Sequence, residues 1–64
     1  MFPHQQRVVD EKHELDKKLH SLVVFIEENA IFEGLGAAEQ SRLRIQRSVM
    51  ESYSTILGER IAAF

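Results

Sequence analysis

A chain of 64 residues, 44% of them hydrophobic, with three glycines and one proline, makes one small domain at most. Folds of this size bury only about 60% of their unfolded surface and draw on disulfides, a metal or partner chains. The absence of cysteine removes the first option, the length excludes a multi-domain enzyme, and a net charge of −2 does not mark duplex nucleic acid as a partner.

The first segment carries a heptad seam. Val8, Leu15, Leu19, Leu22 and Ile26 recur at intervals of 7, 4, 3 and 4, with Val9, Val23 and Phe25 widening the stripe near its ends. No Gly or Pro interrupts it, and Asp10, Glu11, Glu14, Lys17 and Lys18 suit a solvated face, with Glu14 and Lys18 in the favourable i,i+4 order. Pro3 is tolerated in a first turn, so the pattern predicts a helix over about 3–31.

A break follows over about 32–37, at Phe32-Glu33-Gly34-Leu35-Gly36. Gly34 is expected to end the first helix in the left-handed conformation, and Gly36 to cap the next, with Glu39 in its first turn. So short a connection turns the chain back on itself and makes the helices antiparallel. The second helix, about 38–63, places Leu43, Met50, Leu57 and Phe64 at strict sevens, beside a second row of Val49, Tyr53, Ile56 and Ile61. One partner helix cannot cover both rows. The sequence therefore predicts an all-α antiparallel two-helix hairpin that assembles into a symmetric homo-oligomer.

Chemistry is sparse along this chain. His13, Asp16 and His20 share a helical face, but no short-spaced histidine pair or HExxH run backs a metal site, so neither metal nor other cofactor is expected. The serines lie in ordinary helical context without a Gly-x-Ser-x-Gly elbow, and Gly34-Leu35-Gly36 lacks the Lys-Ser/Thr of a phosphate loop. Neighbouring carboxylates such as Asp10-Glu11 point to different faces. An enzyme is not expected. No apolar run approaches a membrane span, no secretory signal pattern opens the chain, and the lack of cysteine fits the cytosol.

Two sets of residues suggest binding instead. All four bases of the second half are arginines, and Arg60 sits beside Ile56, Leu57 and Ile61. A guanidinium there either reaches water, pairs with Glu59 or Glu51, or meets an anion; symmetry could gather several copies around one phosphate. The N-terminal end brings Phe2 and His4 beside Arg7, with Lys17 and Lys18 further along, a kit for stacking a base and holding its phosphate. Phe2 could equally cap the core.

The run Gln5-Gln6-Arg7-Val8-Val9-Asp10-Glu11-Lys12, then Glu14-Leu15-Asp16-Lys17-Lys18-Leu19 and Phe25-Ile26, resembles the opening helix of a family of small phage hairpin proteins. The resemblance continues through Phe32, Leu35, Glu39-Gln40, Gln46, Met50 and Tyr53 to Ile56-Leu57-Gly58-Glu59-Arg60-Ile61, where a mid-helix glycine is otherwise unfavourable by ~1 kcal/mol. This is the anti-CBASS and anti-Thoeris group, sponges for cyclic-nucleotide immune signals. The resemblance implies a homohexamer, acting in the cytoplasm of an infected bacterium, that holds cyclic dinucleotides between protomers and, in some members, cyclic trinucleotides at a separate three-fold site. It implies no catalysis. Arg60 matches the arginine of the trinucleotide site, with Tyr53, Ile56 and Leu57 lining it. For the dinucleotide, Phe2 or His4 would replace the family's more usual tyrosine, near Arg7, and Lys17 or Lys18 with Ser21 would meet phosphate. Without that resemblance, the same pattern describes a structural or regulatory hairpin that builds a helical bundle and binds a protein or RNA.

Overall fold

A computed structural model describes all 64 residues, and every element in it is helical. Helix α1 spans Pro3–Glu28, a single turn α2 spans Ala30–Glu33, and α3 spans Ala37–Ala62. The chain enters α1 through an extended Phe2, whose N–H donates to Gln5 Oε1 at 2.9 Å while its carbonyl accepts from the Gln5 and Gln6 amides. Pro3 then occupies the first turn, where its missing N–H leaves nothing unsatisfied.

The first helix is shorter than the apolar pattern predicts, and the cause is one side chain. Asn29 leaves helical geometry (φ −104°, ψ 123°), and its Oδ1 accepts from the Ile31 amide at 2.9 Å. Asparagine competes in this way with the helix's own hydrogen bonds, so α1 stops and α2 restarts under a new cap. Gly34 also departs from expectation: it is right-handed (φ −84°, ψ −8°), and no residue has positive φ. A left-handed cap is unnecessary because α3 supplies the donor. Gln40 Nε2 reaches back to the Phe32 carbonyl at 2.9 Å, which also accepts from the Leu35 amide, and to the Glu33 carbonyl at 3.3 Å, which α2 leaves open. Gly36 caps α3 from an extended conformation, and Glu39 lies in the first turn.

Helices α1 and α3 pack against each other in antiparallel sense. Lys12 meets Ser54 near the open end, and Glu27 meets Arg47 nearer the turn. Phe32 is buried below the turn, edge-on to Phe25 at 6.0 Å, with the Arg44 guanidinium 5.1 Å above its ring. Along α1, Glu14 pairs with Lys17 at 3.0 Å rather than with Lys18.

The result is a rod of 46 × 15 × 13 Å. Its Cα radius of gyration is 14.5 Å, against about 11 Å for a compact chain of this length. Only Val8, Phe32 and Leu57 are buried. Neither long helix is long and apolar enough to cross a membrane.

Candidate functional site

The site is best built from the circumference of α3, around which each residue advances about 100°. Half-buried Leu43 and Met50 and fully buried Leu57 mark the line that faces α1. On one side of that line lie Arg47, Ser54 and Gly58. On the other lie Tyr53 and Arg60, then Val49, Ile56 and Ile45.

Every polar bridge between the long helices is on the first side. Lys12 Nζ donates to Asp16 Oδ2 at 2.7 Å and to Ser54 Oγ at 3.0 Å, and Ser54 Oγ donates in turn to Asp16 Oδ1. Arg47 donates to Glu27 across the seam at 3.0 Å and to Glu51 along its own helix at 2.8 Å. The hydrogen bonds from Lys12, then from Ser54, hold the Asp16 carboxyl below its ordinary range; those that Arg47 donates to Glu51 and Glu27 raise its own pKa. Asp16 is thus committed to Lys12 and Ser54, and no group of three or more His, Asp or Glu side chains converges on a metal position.

The opposite side is apolar and unbridged. Ile45, Val49, Tyr53 and Ile56 are 43–63% exposed and follow one another at helical spacing, with Arg60 completing the stripe. From Ile45 to Arg60 it runs about 22 Å. Ile45 escaped the sequence reading, although its place four residues before Val49 was a visible signal. Ile61 is half-buried and belongs with the seam rather than the second row, and Phe64, beyond the end of α3, is 47% exposed. Leu57 has its side chain wholly inside the hairpin, so it underlies the Tyr53–Ile56–Arg60 surface and does not form it.

The N-terminal set divides in two. Phe2 and His4 stack with rings nearly parallel, 5.9 Å between centroids and 7° between planes, and Arg7 follows one turn on. Lys17, tied to Glu14, Lys18, and Ser21, whose Oγ donates to the Lys17 carbonyl at 3.2 Å, form a second group. The thirteen steps from His4 to Lys17 correspond to about 20 Å of helix, too far for one small ligand to span. A single chain therefore does not unite them.

Pairing among the cations is uneven. Lys12, Lys17, Arg42 and Arg47 each hold a carboxylate, and Arg44 covers Phe32. Arg7, Lys18 and Arg60 are exposed and make no ion pair, which leaves their donors free for an anion. The hairpin encloses no pocket of its own. What it offers is a pair of surfaces, one apolar with an arginine at its end, one basic with aromatic rings.

No curated protein and no solved structure gives a significant match to this chain. A family model does, and it extends over residues 3–63, through both long helices and the turn between them. On that match the chain belongs to the Sequestin family.

Proposed function

We propose that this hairpin is a sponge: it assembles into a homohexamer that binds cyclic di- or trinucleotide immune signals and holds them without degrading them. The observation that carries the reading is the exposed Tyr53–Ile56–Arg60 surface, in which an unpaired guanidinium ends an apolar stripe. The family name, Sequestin, suggests sequestration and supports the same direction. The choice of cyclic nucleotides comes from the resemblance to the anti-CBASS and anti-Thoeris hairpins, as do the phage origin and the host cytoplasm as the place of action.

The mechanism follows from symmetry. A three-fold axis near Arg60 repeats one guanidinium against each phosphate of a three-fold ligand, with Tyr53 and Ile56 closing around the bases. Desolvation strengthens these charge-assisted contacts, and repulsion among the arginines is relieved only when the anion arrives. Phe2, His4 and Arg7 of one protomer meet Lys17, Lys18 and Ser21 of another at the dinucleotide site, which resolves their separation within one chain. Tight holding requires no acid, base or nucleophile, and the ligand leaves unchanged.

Calorimetry with a panel of cyclic di- and trinucleotides tests the reading. Binding tighter than ~10 μM (about −7 kcal/mol) is expected for at least one ligand, recovered intact on denaturing the protein. If none binds at that level, the sponge reading is abandoned in favour of a hairpin bundle with a protein or RNA partner. Arg60→Ala is expected to lose trinucleotide binding while the assembly keeps its size in sedimentation. Unchanged affinity in that variant removes Arg60 from the site.

A further inference from the structure

Helix α3 has two apolar rows, and only one of them faces α1. Turning α3 by about 100°, the advance of a single residue, would exchange them. Val49 and Ile56 would then take the places of Met50 and Leu57, apolar for apolar. Burial of hydrocarbon is non-directional and separates these two settings poorly over the middle of the helix. At the ends Arg42 and Arg60 would replace Leu43 and Ile61, but long arginine side chains reach water from such positions.

The polar edge of the seam does distinguish the settings. In the observed one, Ser54 presents its hydroxyl to both Lys12 and Asp16. Gly58 lies directly under the Lys12 stem, where an added Cβ would stand 3.4 Å from Lys12 Cε. After a one-residue turn, Tyr53 would occupy the place of Ser54 and Leu57 the place of Gly58. The leucine would overlap the lysine stem. The half-buried Lys12 ammonium, its side chain 30% exposed, would lose the short Ser54 hydroxyl that links it to Asp16, since the longer tyrosine carries its own hydroxyl past that position. Gln46 would also replace Arg47 opposite Glu27, removing the charge of the second cross-helix bridge.

We infer that Lys12, Asp16, Ser54 and Gly58 form a rotational lock that decides which row of α3 faces α1 and so keeps Tyr53, Ile56 and Arg60 on the outside. These four are positioning residues: they touch no ligand, and they aim the residues that do. A polar contact that selects one packing among near-equals has its parallel in the single buried asparagine that fixes coiled-coil register. The inference rests on the proposed function only in taking the Tyr53 row as the working surface; the lock itself stands on the packing.

The test is the Lys12→Ala/Ser54→Ala variant of the full chain, studied by NMR in mixtures of labelled and unlabelled protein so that contacts within a chain are separated from those between chains. The native chain is expected to give one set of α3 amide resonances, with Lys12 Hε near Gly58 Hα. The variant is expected to give two sets, the second showing Ile56 in the place of Leu57, in contact with α1 of the same chain, with at least tenfold weaker cyclic-trinucleotide binding. A single set with Leu57 still against α1 and Ile56 exposed overturns the lock. Two sets with unchanged affinity overturn its role in aiming the surface. If the native chain binds no cyclic nucleotide while the variant shows two sets, the lock stands and the sponge reading fails. Should the double variant unfold, Lys12→Ala alone removes both the stem over Gly58 and the charge; a single set of α3 resonances there, with Leu57 still against α1, also overturns the lock.

Discussion

Leu57 is the one side chain withdrawn completely from water, at 0% exposure, and it carries a corresponding share of the hairpin's stability. Leu57→Ala is expected to cost about 2–5 kcal/mol, read as a lowered midpoint in urea. With only three buried residues to share the load, that loss should leave little folded protein at room temperature. Asp16 gives a residue-scale prediction of a different kind. Its carboxyl is held below the ordinary aspartate range by the hydrogen bonds of Lys12 first and Ser54 second, with the charges of Lys12 and His13 adding to them. A depressed folded pKa means the contribution is complete above about pH 4 and disappears as pH falls through the lower folded value. Acid titration of native protein and Asp16→Asn should therefore show stability curves that converge below that point and separate above it. Equal pH dependence in the two would mean that Asp16 is not coupled to folding. Arg60 was legible from sequence as a base among apolar neighbours; its lack of an ion pair was not, since Glu51 and Glu59 both lay within helical reach.

At the scale of elements, the two long helices were plain in the heptads because amphipathic periodicity is a property of consecutive residues. The break at Asn29 was not, because it depends on whether one amide side chain prefers the Ile31 N–H to solvent. The turn was legible as a turn, but its chemistry was not. The Phe32 carbonyl takes a local bond from the Leu35 amide, but its second donor, Gln40, lies eight residues on and arrives only once α3 has folded back. Gln40→Ala should cost about 1 kcal/mol and speed amide exchange at Gly34 and Leu35, whose N–H groups close the same turn. Gly58 shows the opposite balance. A methyl there meets Lys12 Cε at ordinary contact distance, so Gly58→Ala should stabilise α3 by about 0.5–1 kcal/mol. Gly58→Leu should instead displace Lys12 and lower the thermal midpoint.

At the scale of the molecule, the surplus apolar row was visible in the sequence as more hydrophobic circumference than one neighbour could cover. The hairpin leaves that row in water, and the proposed assembly is what covers it. The thermal midpoint should then rise with protein concentration, since association stabilises only the folded chain. Val49→Glu/Ile56→Glu should sediment as a single hairpin and lose the concentration dependence. A variant that keeps the native size would show that another surface joins the protomers. The sidedness of the seam was beyond sequence reading, because it needs the relative rotation of two helices.

Tyr53 stands in the middle of that stripe, and the chain has one tyrosine and no tryptophan. Its ring therefore dominates the near-ultraviolet absorbance and emission of the whole protein. The molecule carries an optical gauge built into the surface in question: quenching of its emission by a small neutral solute follows, without any label, whether that surface is open to water, covered by a neighbour or closed over a ligand.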